Sequence, residues 1–144
     1  MSPFRFSAAI AAYVVPTFAL GVLWHLVWFG QYYADLQIYR EQLIFPLGIA
    51  SMLIQGTILA WLYPRISGTG HWLRRAAQFG SIMGILFWSL LVLPVAAKNI
   101  MASVPDFMLI ETAFCLLQFA ITAPLIALVY ATIPAQADPH RMAL

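Results

Sequence analysis

Charged residues are scarce in this sequence. Asp, Glu, Lys and Arg make up 8% of its 144 residues, whereas in soluble domains they make up about a quarter. So few polar groups cannot cover the surface of a water-soluble domain of this length. The net charge of +2 is too small and too scattered for a nucleic-acid surface. The composition therefore excludes an ordinary soluble domain and a nucleic-acid partner.

Redox and catalytic motifs are missing as well. Cys115 is the single cysteine, which excludes an intrachain disulfide, a thioredoxin-like CxxC centre and covalent CxxCH haem. There is no phosphate-binding glycine loop, no HExxH motif and no motif of paired carboxylates. We therefore assign no catalytic residue, and the sequence favours a protein that is not an enzyme.

What the sequence does contain is long apolar runs. Hydrophobic residues make up 63% of the chain, and the mean hydropathy is +0.88. Four runs, at roughly 8–30, 44–63, 75–97 and 106–132, each approach the ~20 residues that cross a bilayer. Such segments must be helical, because hydrocarbon offers no partner to a bare backbone. The prediction is an all-α polytopic membrane protein, with four transmembrane helices in residues 1–133 and a C-terminal tail at 134–144.

The basic residues predict how the helices are oriented. Arg5, Arg65, Arg74, Arg75 and Arg141 fall on one side of the predicted domain, and Arg40 and Lys98 fall on the other. Lys and Arg are enriched in cytoplasmic loops. Both termini and the 64–74 loop are therefore predicted to be cytoplasmic, and the short connections predict an up-down-up-down bundle.

One longer connection, at 31–43, is expected to have structure of its own. Tyr32, Leu36, Tyr39 and Leu43 recur there at helical spacing. This pattern predicts either an extension of helix 1 or an amphipathic turn lying on the membrane surface.

Polar side chains within the apolar runs are the best guides to a site, because they are costly in hydrocarbon and usually face the bundle interior. Glu111, Cys115, Gln118 and Thr122 share one face of helix 4. Gln55 has a similar depth in helix 2, where an amide can equally serve as an interhelical hydrogen bond that fixes helix register.

His25 and Glu111 are the sharper candidates, since both fall near the predicted outer interface. Glu111 is expected to pair with His25 or with Lys98 at the same depth. The result is either a structural ion pair or a polar pocket open to the outer side. The candidate pocket consists of His25, Trp28, Gln55, Lys98, Glu111, Cys115 and Gln118.

Glycines predict where helices approach closely. Gly80 and Gly84 form a GxxxG motif, which is typical of a helix contact within a bundle or a dimer. Gly21 is assigned to helix packing with them. The histidines predict no metal site and no cofactor, because His25 falls on the opposite side of the membrane from His71 and His140.

Several short motifs resemble those of a known group. They are Leu23-Trp24-His25-Leu26-Val27-Trp28-Phe29-Gly30, Pro46–Gly48, Gln55-Gly56, Leu62–Pro64 and Glu111–Phe119. Together they resemble small bacterial four-helix membrane proteins of a domain-of-unknown-function family. The resemblance implies the four-helix fold and a bacterial inner membrane, and it implies no activity.

Three functional hypotheses remain open. The leading one is an accessory or scaffold subunit of a larger membrane complex, or a homo-oligomer, embedded in the lipid bilayer. The second is binding or transport of a small hydrophobic or lipid-like ligand through an outer-facing pocket at His25, Glu111 and Gln118. The third is an enzyme that acts on a lipid or quinone headgroup with the same residues as acid and base. A cavity lined by these side chains would favour the second hypothesis, and dry packing would favour the first.

Overall fold

The protein is all-helical in the part of the chain that its computed structural model describes, residues 2–40 and 42–133. Four helical segments there are long and apolar enough to cross a membrane. They are Pro3–Trp28, Phe45–Ile66, Trp72–Lys98 and Val104–Thr132. The predicted all-α class and the four long apolar helical segments are therefore confirmed, while the tail predicted at 134–144 lies outside the described residues.

The first span ends in an unusual way. Helix α1 covers Pro3–Val22 and continues as a π-helix over Leu23–Trp28. The wider hydrogen-bond spacing persists at Phe29, whose amide donates to the carbonyl of Trp24 at 3.0 Å. π-helical turns are rare and occur often at functional sites. His25 lies within this turn.

A short helix follows, α2 at Gly30–Leu36, which ends at Gln37 in the left-handed region with φ 60°. It is a separate helix rather than a continuation of α1. Its buried face carries Tyr33 and Leu36, whereas Tyr32 and Tyr39 of the predicted stripe are exposed. The spacing of apolar residues therefore predicted correctly that this segment is helical and that Leu36 lies on its apolar face. The buried face includes Tyr33 instead of Tyr32.

The remaining helices are α3 at Phe45–Ile66, α4 at Trp72–Leu91, α5 at Leu93–Lys98 and α6 at Val104–Thr132. The break between α4 and α5 coincides with Pro94, which has no N–H to continue the helical ladder. Ser103 caps α6, since its hydroxyl accepts the amide of Asp106 at 3.4 Å. The spans begin earlier than predicted at Pro3, Trp72 and Val104, and α3 ends later at Ile66, because polar residues at these ends also adopt helical structure.

The long helices pack in the spatial order α3, α1, α6, α4. The first core runs along this row and includes Tyr13, Leu59, Phe79 and Phe119. The helices approach closely at two glycines, because a Cβ on Gly56 would lie 3.1 Å from Val14 and one on Gly80 would lie 2.9 Å from Ala123. Small residues at such contacts let helix backbones come together in lipid.

A second core closes one end of the row. Tyr33 and Leu36 of α2 pack there against Val92, Phe107 and Ile110. The amide of Ala102 also donates to the carbonyl of Leu36 at 3.1 Å. The α2 segment is therefore a cap over the adjoining ends of α4 and α6.

The opposite end of the row collects arginines on aromatic rings. Arg5 donates to the Tyr130 carbonyl at 2.8 Å, and the Arg65 guanidinium lies 3.9 Å from the ring centre of Trp61. Arg75 donates to the Ser67 hydroxyl at 2.9 Å. Arginine stems and rings of this kind are suited to the boundary between apolar and aqueous surroundings.

The first half of α3 stands away from the rest of the row. Every residue from 42 to 51 is exposed, and contacts with α1 develop further along, where Gln55 meets Tyr13 and Gly56 meets Val14. The divergence of α3 from α1 leaves a cleft between the two helices.

Candidate functional site

The cleft has a volume of about 390 Å³ and is open along one side. Apolar side chains of α1, α3, residues 43 and 44 before α3, and α6 form most of its wall. Its polar lining residues are Thr17, His25, Tyr39, Ser51, Gln55 and Gln118. A largely apolar concavity with a few convergent polar groups is the usual form of a small-ligand site.

His25 is held from both sides of its ring. Its Nδ1 lies 3.0 Å from the carbonyl oxygen of Gly21, and its Nε2 lies 3.3 Å from Oε1 of Glu111. The Tyr33 hydroxyl donates to the same Oε1 at 2.7 Å. The side chains of His25 and Glu111 are 19% and 18% exposed. The pair is therefore partly shielded at the end of the cleft, with both ring nitrogens of His25 and Oε1 of Glu111 in polar contacts.

One arrangement of hydrogens satisfies both contacts of the His25 ring as hydrogen bonds. A carbonyl oxygen only accepts, so the contact with Gly21 places a hydrogen on Nδ1 of His25. The contact between Nε2 and Glu111 then needs a second hydrogen, since two lone pairs repel each other. In this arrangement the pair shares one proton, and its net charge is zero whether the hydrogen sits on the ring or on the carboxyl.

Aromatic rings enclose this pair. Tyr33 and Tyr39 stack with ring centres 5.1 Å apart and an angle of 9° between their planes. The ring of Phe114 meets His25 edge-on at 4.4 Å. Burial, followed by the negative charge of Glu111, raises the pKa of Tyr33. The same two causes raise the pKa of Tyr39, because one face of its ring is covered by Tyr33 although the residue as a whole is 42% exposed. Both phenols therefore stay neutral beside the pair.

A second polar chain crosses the middle of the row. The amide of Gln118 donates to the Tyr13 hydroxyl at 3.1 Å and to the Thr17 hydroxyl at 3.4 Å. The Tyr13 hydroxyl donates to Gln55 at 2.7 Å, and Gln55 donates to Ser51 at 3.0 Å. The two glutamines are therefore joined through Tyr13 rather than to each other, and the chain runs along the floor of the cleft.

The structure brings together only part of the sequence-derived candidate pocket. His25, Gln55 and Gln118 line the cleft, and Glu111 joins it through His25. Lys98 is exposed at the end of α5 and is not the partner of Glu111. Depth along the helices placed Lys98 correctly near the same end of the bundle, but Tyr33 and His25 occupy the space around the carboxylate.

Two further candidates lie elsewhere. Trp28 is 58% exposed and does not line the cleft. Cys115 faces α4, where its thiol lies 3.5 Å from the Gly84 carbonyl. The π-helical turn changes which residues share a face with His25, and this separates Trp28 from it.

Of the three glycines assigned to helix packing, two lie at a helix contact and one does not. Gly80 and Gly84 lie against Ala123 and Phe119 of α6. Gly21 has no atom within 4 Å of the position of an added Cβ, and it lines the cleft. Gly56, which the sequence analysis did not single out, makes the close contact of α1 with α3.

Tyr13, Tyr33 and Tyr39 were missed by reasoning from sequence. Each bonds or stacks with residues of other segments. The sequence did carry one signal for them. A tyrosine inside or next to an apolar run is expected to bring its hydroxyl to a hydrogen-bond partner, because buried phenols need one. The described residues contain no group of three His, Cys, Asp or Glu side chains that could hold a metal ion.

Comparisons with protein-family models, curated proteins and solved structures find no match to this chain. The site is therefore interpreted from its own geometry.

Proposed function

We propose that this protein binds a small neutral amphiphile in the cleft between α1 and α3. The observation that carries the proposal is the lining itself, an open apolar cleft of about 390 Å³ with His25, Gln118 and four other polar side chains along it. An amphiphile would place its hydroxyl or carbonyl groups against this polar line and its apolar part against Phe18, Leu43 and Phe45.

The charge balance of the wall supports a neutral ligand. Among the described residues that line the cleft, His25 is the one that can carry a full charge at neutral pH, and Glu111 compensates it. A charged headgroup would find no uncompensated partner there, and burying an unpaired charge is costly. Hydroxyl, carbonyl and amide groups would find donors and acceptors on Gln118, Gln55 and Ser51.

The shape of α3 supports entry from the bilayer. Its first half, through Ser51, is exposed. The cleft is therefore open along its length, and a lipid-like molecule could enter without passing through water.

Site-specific photo-crosslinking tests this proposal, because it captures whichever molecule occupies the cleft. A photoreactive amino acid at Met52, which lines the cleft, should capture a discrete molecule from native membranes that intact mass spectrometry can weigh. The matched control is Ile54, two residues along α3 and 62% exposed, which should capture only bulk phospholipid. Identical adducts at the two positions would contradict a selective site.

We also propose an orientation for the membrane domain, with both termini and the 64–74 loop in the cytoplasm and the helices running alternately up and down. Two contacts support the alternation. Arg5, near the start of the first span, meets Tyr130 near the end of the last, and Trp88, in the second half of the third span, meets Thr112 in the first half of the last, so each pair of helices runs antiparallel. The arginines beside Tyr130, Trp61 and Ser67 support the cytoplasmic assignment of that end. The four long apolar helices support a membrane location, and the motif resemblance implies that this is a bacterial inner membrane.

A second candidate function, self-association or scaffolding, rests on a different surface. A groove of about 600 Å³ runs along α4 and α6. Ser81 and small residues such as Gly80 and Ala120 line it, so a helix of a second copy could approach closely.

Light scattering of detergent-purified variants tests this second candidate. Ser81→Phe would fill the groove and should lower the oligomer mass. Ile82→Phe, at an exposed neighbour outside the groove, should leave the mass unchanged. A monomeric wild-type protein would refute the self-association candidate and leave the cleft proposal intact.

A further inference from the structure

We infer that the His25–Glu111 pair is a single-proton site that links ligand binding in the cleft to pH. The inference rests on the proposed function and adds its regulation. Its basis is one contact between two ionisable side chains, Nε2 of His25 and Oε1 of Glu111, which lie 3.3 Å apart. This contact lies at the wall of the cleft that a ligand would cover.

The two states of this pair differ in charge and in geometry. With its shared proton the pair is neutral overall, and the contact is a hydrogen bond. Without that proton, Glu111 keeps a negative charge and the Nε2 lone pair of His25 faces it, because Gly21 fixes the remaining hydrogen on Nδ1. The proton passes between this contact and water, and no other bond changes.

A neutral ligand would favour the protonated state. Filling the cleft removes water from the vicinity of His25, and a net charge loses more than a neutral pair when water is withdrawn. Above the pH at which the free pair loses its proton, the wall therefore takes up one proton when a neutral ligand binds, and by reciprocity the ligand binds less well as pH rises. One linked proton changes the affinity by about tenfold per pH unit once the free pair has lost its proton.

The surroundings leave this pair as the titrating unit. The ionisable groups that face it are Tyr33 of α2, Tyr39 of the 37–44 segment and Cys115 of α6. The phenols stay neutral for the reasons given above. The outer halves of α3 and α4, Phe45–Gln55 and 80–91, carry no ionisable side chain, and Lys98 of α5 is exposed and unpaired with Glu111.

The tyrosine contacts make the response specific to His25. Tyr33 keeps its hydrogen bond to Oε1 of Glu111 in either state, so the carboxylate stays in place. The imidazole is the part that loses its attraction when the proton leaves. We therefore expect a change of pH to move the His25 imidazole, which lines the cleft, and to leave the Glu111 carboxylate in place.

The first test needs no ligand. Histidine side-chain nitrogens are labelled with ¹⁵N, and the full chain is titrated in lipid nanodiscs from about pH 5 to about pH 8. His25→Gln identifies the His25 signals. The expected result is that His25 loses its proton from Nε2, keeps it on Nδ1, and titrates at a different pH in Glu111→Gln than in the wild type. Asp106→Asn, which removes an exposed carboxyl from the same helix, should titrate like the wild type. An identical His25 titration in the wild type and Glu111→Gln would overturn the inference.

The second test measures the linkage. The yield of the discrete Met52 photo-adduct from native membranes is followed over the same pH range. It should fall as pH rises in the wild type. It should not fall in Glu111→Gln, where the protonated His25 has no compensating carboxylate, nor in His25→Gln, which lacks the imidazole, and the two variants protect the result against one of them failing to fold. A yield independent of pH in the wild type would overturn the linkage while supporting the proposed site. The absence of any discrete adduct would contradict the proposed function, and the ligand linkage would fall with it even if the pair titrates as expected.

Discussion

The contact of α4 with α6 at Gly80 allows a prediction with a defined magnitude. A Cβ on Gly80 would lie 2.9 Å from the Cβ of Ala123 and 3.5 Å from the carbonyl oxygen of Phe119. Neither atom belongs to a flexible side chain, so relief requires α4 and α6 to move apart along their most extensive contact. Overpacking of this kind costs about 1–3 kcal/mol. Replacing glycine by alanine in a helix gains about 0.5–1 kcal/mol from backbone entropy, so the net effect of Gly80→Ala is smaller than the steric cost.

Two matched variants separate the steric cost from the gain in helix propensity. Gly21→Ala adds the same methyl group where no atom lies within 4 Å. Gly84→Ala adds it 3.7 Å from Phe119, an ordinary contact distance. We expect Gly80→Ala to be less stable than either control by about 1–3 kcal/mol, measured by reversible unfolding in mixed detergent micelles. Equal stability of the Gly80 and Gly21 variants would refute the close approach of α4 to α6.

Three further predictions follow from other contacts. Tyr13→Phe should lower the free energy of unfolding by about 0.6–2 kcal/mol, measured in the same micelles, because it leaves the buried Gln118 amide without one of its acceptors; no loss would show that the bond contributes nothing. Tyr33 and Tyr39 should ionise later than an ordinary tyrosine in an absorbance titration, and because their pKa is raised in the folded protein, their contribution to stability is complete below about pH 10 and is lost as pH rises beyond it. Tyr33→Phe should remove one late-ionising group, and an unchanged late phase would contradict the assignment. A reporter fused between α3 and α4, at residues 67–71, should be active only if it requires the cytoplasm. Activity there of a reporter that requires export would invert the proposed orientation.

The sequence was sufficient for the spans because the relevant signal is local. A run of about 20 apolar residues identifies a membrane helix from composition alone. The helix limits were less accurate because the ends carry residues such as Arg5 and Arg74, which hydropathy excludes but a helix accepts. The rotation of α2 was missed because Tyr32 and Tyr33 are chemically equivalent candidates for its buried face, and only packing against Phe107 and Ile110 decides between them.

The candidate site was less accessible to sequence reasoning than the fold. Depth and helical period were enough to single out His25, Glu111 and Gln118. They could not supply Tyr33, which comes from the capping segment, or the divergence of α3 that opens the cleft. They also assumed an even helical period through Trp28, and the π-helical turn breaks that assumption.

The spatial order of the helices has a consequence for biosynthesis. The row α3, α1, α6, α4 divides into a first hairpin of α1 with α3 and a second of α4 with α6, and α6 is the last of these helices to leave the ribosome. The first hairpin can form while the rest of the chain is still being made, as domains and hairpins assembled early in synthesis commonly do. The contacts that join the halves, from Arg5 to Tyr130 and from His25 to Glu111, bridge 125 and 86 residues. The acid and the base of the pair therefore enter the membrane in different hairpins, and the pair can form only after the two hairpins dock.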